Sequence, residues 1–220
     1  SKVPYDTARP VPEQALAALA AACAAPVRFG ATAEPDRVAA LRDLAIRAFG
    51  VEMHHRPGLM ESVELMRLGR AEVAASPDGI SVWGPQVEEM VASGRLTRAA
   101  MLPGGPGFPL MMQRYTGAMA ATPAFLWLVT APGRAAELAA GRDWLRVNLA
   151  ATGMGLGLHP VSQALQEFPE MAAEHAAAHA ALAPAAGPGG ATVQMLGRLG
   201  YAAPVPPTPR WRAETRIRAV

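Results

Sequence analysis

The stretch from Thr122 to Ser162 constrains the fold of this chain more than any other. Pro123 closes what precedes it, and Phe125 to Ala131 (FLWLVTA) is an unbroken apolar run of strand length, dense in residues that pack on a pleated surface. With no polar face, the run predicts a strand buried on both sides. Pro132 and Gly133 break it. Arg134 to Thr152 then returns to a helical period, marked by Leu138, Trp144, Leu145 and Leu149, and predicts a long half-buried helix.

That helix delivers Gly153-Met154-Gly155-Leu156-Gly157-Leu158-His159-Pro160-Val161-Ser162. Glycines at alternate positions allow a close approach of backbone to a ligand, or a packing crossover without intervening side chains. A short extended piece is expected to end at Pro160. The dinucleotide fingerprint lies between a strand and the helix that it opens, whereas these glycines follow a helix, so that motif is excluded.

With 220 residues, 51% of them hydrophobic, the chain can bury a large core in one domain or two small ones. A formal charge of +2, without a Lys/Arg stripe interleaved with aromatics, argues against nucleic acid as a partner. The lone Cys23 permits no internal disulfide and reads as a small core residue in an Ala-rich helix. No apolar run reaches spanning length, so no membrane is expected and a soluble, cytoplasmic protein is. No signal peptide is evident, and the chain begins at Ser1 without an initiator Met, which leaves open that its N-terminus was trimmed or lost.

Along the chain, helices are expected at Glu13 to Ala24, from Pro35 with Val38, Leu41, Leu44, Ala45 and Phe49 inward, and at Gly58 to Leu68. Further helices are expected at Pro85 to Ala92, Phe108 to Ala120 and Glu170 to Ala183. Val27 to Thr32, Ile80 to Trp83 and Thr192 to Tyr201 read as extended pieces, and Ser76-Pro77-Asp78-Gly79 as a turn. Arg37, Arg42 and Arg47 are expected on a solvated face, and Glu61 and Glu64 to pair with Arg67 and Arg70. Pro103 to Gly107 is a loop, either a mobile flap or an ordinary surface loop, and Ala185 to Gly190 another. Pro204, Pro206, Pro207 and Pro209 hold the tail extended before Arg210, Trp211 and Arg212, a segment that composition alone reads as a solvated terminus.

The pieces at 121–131, 142–153 and 157–163, then Leu196-Gly197-Arg198-Leu199-Gly200-Tyr201 through Pro207-Thr208-Pro209-Arg210, resemble in their order the FMN-dependent nitroreductases. The nearest branch is that of tandem, flavin-sequestering nitroreductase-like proteins, and Tyr5-Asp6 through Arg9-Pro10-Val11-Pro12 is similar to the family's opening. Residues 50–110 resemble it poorly. The resemblance implies an α+β fold, with a mixed central sheet surrounded by helices, forming a single domain over 1–220. It also implies FMN as cofactor at the interface of a homodimer, NAD(P)H as electron source, and a nitroaromatic, quinone or similar small acceptor. Carried onto this chain, Gly155, Gly157, His159, Pro160 and Ser162 match the segment that passes along the isoalloxazine. Arg210, with Arg212 second, matches a late basic residue that grips the phosphate, for which a guanidinium fork is suited. The family's Arg-rich opening is replaced by Ser1-Lys2-Val3-Pro4-Tyr5, leaving Lys2, and its Asn-x-Gln-Pro-Trp segment by Ala25-Pro26-Val27-Arg28-Phe29. These departures imply either the second half of a tandem protein whose first half is missing, or a branch that has lost or rearranged its flavin site.

Other constellations carry less. His175 and His179 share a helical face but gain no third ligand from the sequence, and the adjacent His54 and His55 do not converge on one ion. Glu88 and Glu89 read as surface charge. No hydrolase elbow or Walker sequence is present, and no side-chain acid or nucleophile is expected, because flavin chemistry belongs to the flavin. The expected function is an FMN-dependent oxidoreductase. The alternatives are a non-catalytic FMN-binding or flavin-storage protein and a structural homologue that has lost the site. For the dimer, Met111, Met112, Tyr115 and Trp144 are candidates either for the interface or for the core beside it.

Overall fold

Each of the strongest sequence signals forms its element in the computed structural model, which describes residues 3–184, 190–205 and 207–217. The chain divides into two compact units, Ser1–Glu52 with Tyr115–Ala203 and Met53–Arg114 with Pro204–Val220. The first contains α1 (Glu13–Ala21), β1 (Arg28–Thr32) and most of α2 (Pro35–His54). The second contains α3 (Arg56–Leu65), β2 (Met66–Leu68), α4 (Gly69–Ala75), β3 (Ile80–Val82) and α5 (Pro85–Ala92). Helix α6 (Gly107–Ala120) gives its residues up to Arg114 to the second unit and the rest to the first. The first unit then resumes with β4 (Ala124–Thr130), α7 (Arg134–Gly153), β5 (Gly157–Pro160), α8 (Ala172–Leu182) and β6 (Thr192–Gly200).

In the first unit the strands form one sheet in the order β1-β4-β6-β5, every neighbouring pair antiparallel. Every residue of β4 is buried, as an apolar run without a polar face requires. Its alternate residues serve two layers. Ala124 and Leu126 join Val11, Ala15 and Leu19 near or on α1, and Val147 and Ala151 on α7. On the opposite face, Trp127 donates its indole N–H to Leu182 O of α8 at 3.0 Å. There too Phe49 of α2 stacks on Tyr115 of α6, with ring centroids 3.7 Å apart. The unit is thus a helix–sheet–helix sandwich, and the predicted α+β class is the observed one.

Helix α7 corrects the sequence reading of its own period. Leu138, Leu145 and Leu149 are 61%, 60% and 64% exposed, while Ala140, Asp143, Val147 and Ala151 are buried. The large leucines do fall at helical spacing, but small residues let α7 lie close to the sheet, and the leucines occupy the other face. Trp144 packs against the core, and a Cβ added at Gly197 would fall 2.7 Å from its ring. Trp144 is half-buried against the core, whereas Tyr115, a second interface candidate, is itself buried. Arg42 is a second correction: it is half-buried, and its Nε–H donates to Thr122 O at 2.9 Å instead of facing water.

In the second unit, β2 and β3 pair in parallel, Met66 opposite Ile80. Because α3 ends at Leu65, the helical spacing expected to join Glu64 to Arg67 does not exist. The strand pair instead brings Arg67 to Asp78, at 2.7 Å. The Pro103–Gly107 loop is backed by protein, since a Cβ on Gly105 would fall 2.5 Å from Ala100 O. The tail is anchored rather than simply solvated: Trp211 Nε1–H donates to Asp78 Oδ2 at 3.0 Å, and the Arg216 guanidinium lies 4.0 Å from the Trp211 ring centroid. Residues 185–189 of the expected Ala185 to Gly190 loop lie outside the described residues, as does Pro206.

Asp143 ties α7 to the segment after α1. Its carboxylate accepts the Ala24 N–H at 2.9 Å and pairs with Arg142 at 2.9 Å and Arg146 at 3.2 Å. Burial pushes its pKa up, but the hydrogen bonds from Arg142 and Ala24 and the charges of Arg142 and Arg146 outweigh that and hold it below the usual carboxylate value. Replacing Asp143 with Ala is expected to cost about 1.5–3 kcal/mol in urea unfolding, the scale of hydrogen bonds to a charged group. Because the folded-state value is depressed, the stabilisation is complete above the unfolded pKa of about 4 and is lost as pH falls through the folded value. The gap between wild type and variant should therefore narrow in acid; a gap independent of pH would contradict this.

Candidate functional site

The glycine segment lies at the edge of the sheet, where β5 pairs with β6 and, among the described residues, with no other strand. At the end of α7 the chain turns through Gly155, whose φ of +71° suits glycine and whose missing Cβ would meet nothing within 4 Å. Val161 N–H bonds to Leu196 O at 2.9 Å, and His159 stands opposite Arg198. Alternation along an antiparallel ladder then turns the Leu158 N–H toward the open edge, while Pro160 has no N–H to offer. Gly155 and Pro160 are exposed, Gly157 and Ser162 half-buried and His159 buried.

His159 is held by a residue to which sequence reasoning gave no role. Arg198 is 0% exposed in the middle of β6. Its Nε–H donates to His159 Nδ1 at 3.1 Å, and its Nη1 donates to Ala118 O at 2.7 Å and Thr122 Oγ1 at 3.2 Å. Its Nη2 donates to Val3 O, and its guanidinium lies 4.1 Å from the Tyr5 ring centroid. A lone arginine inside the apolar strand Met195–Leu199 was the available signal. Since His159 Nδ1 accepts a hydrogen bond, its ring proton is on Nε2.

Tyr5 lies across the ends of β6 and β5. A Cβ at Gly200 would fall 2.6 Å from its ring, and one at Gly157 would fall 3.0 Å away, so these two glycines make room for it. Tyr5 is 4% exposed, yet its hydroxyl has no hydrogen-bond partner among the described residues. Burial pushes its pKa up to about 12 against the opposing charge of Arg198, so the phenol is a neutral donor. A second unpartnered buried atom, Gln166 Oε1, lies beyond β5 in the loop where Gln166 Nε2 donates to Glu52 at 2.7 Å.

The structure therefore brings together Gly155, Gly157, His159, Pro160 and Ser162 in the first unit. Arg210 and Arg212 belong to the second. Arg210 is exposed, and its Nη1 donates to Pro209 O at 2.9 Å. Arg212 stands 3.6 Å from Glu214. Lys2 lies outside the described residues. The expected helical pair has structural contacts: His179 Nε2 accepts the Val193 N–H at 3.1 Å, and its Nδ1 is 2.9 Å from His175 O. Among the described residues no group of three His, Cys, Asp or Glu side chains is placed to hold a metal, and no helix is long and apolar enough to cross a membrane.

No protein-family model matches the chain, and no curated protein matches it in sequence. Solved structures do match in fold. An FMN- and NADPH-dependent nitroreductase from Sphigopyxis sp. strain HMH is 19% identical, with a TM-score of 0.55 over 99% of this chain and 94% of that one. The FMN-dependent nitroreductase of Mycobacterium smegmatis, in complex with NADPH, is 16% identical, with a TM-score of 0.55 over 99% and 92%. A nitroreductase with bound FMN from Bacteroides fragilis is 16% identical, with a TM-score of 0.51 over 99% and 91%. The chain has the nitroreductase fold.

Tyr5→Phe keeps the ring under Arg198 and removes the unpartnered hydroxyl. In the flavin-free protein it is expected to raise the unfolding free energy by about 1 kcal/mol, because no hydrogen bond is lost and a buried polar group is relieved. Destabilisation by a similar amount in denaturant melts would mean that the hydroxyl is satisfied in the free chain.

Proposed function

We propose that the protein is a divergent member of the FMN-dependent nitroreductase family. In this reading it is an oxidoreductase that takes electrons from NAD(P)H and passes them to a nitroaromatic, quinone or similar small acceptor. The observation that carries the reading is the likeness in fold, over nearly the whole chain, to nitroreductases bound to FMN or NADPH. Residues of the first unit fit a flat hydrogen-bonding ring. The ladder turns the Leu158 N–H toward an edge without a neighbouring strand among the described residues, a Cβ at Gly155 would meet nothing within 4 Å, and the Tyr5 hydroxyl is a buried donor without a partner among the described residues.

Bound FMN would supply the two-electron chemistry, and the protein's task is to hold, orient and shield it. In this reading the β5 edge from Gly155 to Ser162 lies along the ring system. His159, fixed by Arg198, keeps the strand in register without itself moving a proton. Arg210 has no carboxylate partner among the described residues, which leaves its guanidinium open to a phosphate. Arg212 already stands near Glu214 and is the weaker candidate.

The test begins with purified protein incubated with FMN and desalted. Retained flavin absorbance that is bleached by NAD(P)H under anaerobic conditions is the expected result. Retained flavin that NAD(P)H does not bleach would replace the oxidoreductase with a flavin-storage protein, and no retained flavin would end both readings. Arg210→Ala is expected to weaken FMN by about 1–3 kcal/mol with an unchanged melting temperature, the range of a charge-assisted hydrogen bond. Equal affinities would remove Arg210 from the site.

A C2 homodimer is part of the proposal. It is supported by the outward leucines Leu138, Leu145 and Leu149 of α7, which are exposed on one face of the helix. Met111 and Met112, each half-buried, remain candidates for the same role. Sedimentation at micromolar concentration should give a dimer, and a monomer there would refute it.

A further inference from the structure

The second unit contains an open cleft of about 330 Å³ lined by Arg70, Val73, Ala74, Pro77, Trp83 and Pro209. Its walls are apolar apart from one cation. The Arg70 guanidinium lies 4.9 Å from the Trp83 ring centroid, and among the described residues no carboxylate forms an ion pair with it. Other arginines of this unit are neutralised, Arg67 by Asp78, Arg95 by Glu89 and Arg98 by Glu72, at 2.7, 2.8 and 2.7 Å. Sequence spacing suggested a carboxylate partner for Arg70 within α3, but its backbone N–H instead bonds to Glu88 at 3.0 Å. The Glu88 carboxylate thus holds the backbone of Arg70 while the guanidinium stays on the indole.

The Pro209 wall is fixed rather than frayed. Two residues on, Trp211 is held by Asp78, and Asp78 is held in turn by Arg67. The cleft therefore pairs a flat aromatic surface, Trp83, which is 37% exposed, with unneutralised guanidinium charge. A guanidinium presents a planar fork to a carboxylate or similar anion, and an indole face takes a flat ring against it.

We propose that this cleft binds a small aromatic anion of one or two fused rings, with its anionic group on Arg70 and its ring against Trp83. The size follows from the volume, which is at the lower end of the range of about 300–1,000 Å³ for ligand pockets. A three-ring flavin with its ribityl phosphate needs more room. The inference does not depend on flavin binding, and it uses none of the residues assigned to FMN.

The probe is 2-naphthoate, compared with the neutral 2-naphthamide, by isothermal titration calorimetry on the full chain. Saturable binding is expected, with the naphthoate tighter by about five- to tenfold, the scale of a charge-assisted hydrogen bond at a solvent-accessible site. Arg70→Gln should erase that preference, and Trp83→Leu should weaken both probes. Arg95→Gln should change neither, because Arg95 stands outside the cleft. Matching melting temperatures for the variants show that the fold is kept. Equal affinity for the two probes, an unchanged preference in Arg70→Gln, or no saturable binding would overturn the proposal. Protein saturated with FMN should bind naphthoate as before. Displacement of naphthoate by FMN would make the cleft part of the flavin's own site and overturn its independence, whatever the outcome of the flavin test itself.

Discussion

Burial of β4 on both faces governs the first unit. A strand with Phe125, Leu126 and Leu128 all at 0% exposure needs helices above and below it, because each such side chain gains roughly 1.5–3 kcal/mol only when water is excluded. That requirement recruits α1 and α7 to one face and α2, α6 and α8 to the other. It also places β1 and β6 as neighbours of β4, so that β5 can only be an edge. The edge matters for function. A strand with one unpaired side keeps backbone hydrogen-bonding groups for a ligand, and β5 is the one that carries the glycine segment.

Arg198 is the cost that this arrangement bears. A charged group at 0% exposure would be strongly unfavourable alone, and it is tolerated because oxygens of Ala118, Thr122 and Val3, the ring nitrogen of His159 and the face of Tyr5 surround it. The same contacts attach the N-terminal segment to the end of β6, helped by the Asp6 N–H bond to Tyr201 O at 2.8 Å. One buried cation therefore sets three things together: the register of β5 against β6, the tautomer of His159, and the position of Tyr5 with its unpartnered hydroxyl. The second unit follows a different logic. It is organised by surface ion pairs around a short parallel strand pair, with Asp78 joining the turn, Arg67 and the tail through Trp211.

What the amino-acid sequence determined by itself was the set of elements whose signal is local. The apolar run of β4, the Pro35 start of α2 with its inward Val38, Leu41 and Leu44, and the Ser76–Gly79 turn all depend on neighbours in the chain, and so does the placement of the glycine segment just past a helix. The α+β class was implied by the resemblance to the nitroreductases and not by these local signals. Tertiary structure alone decided which face of α7 is inside: the helical period is symmetric in that respect, and close packing on the sheet selected Ala140, Val147 and Ala151 over the larger leucines. It alone decided the partners of Arg42, Arg67 and Arg70, since α3 gives way to a strand and charges pair across space rather than along the helix. For Arg198 the sequence offered only its place inside an apolar strand, and for Tyr5 no signal, because the partners of a buried charge or hydroxyl come from segments far apart in the chain.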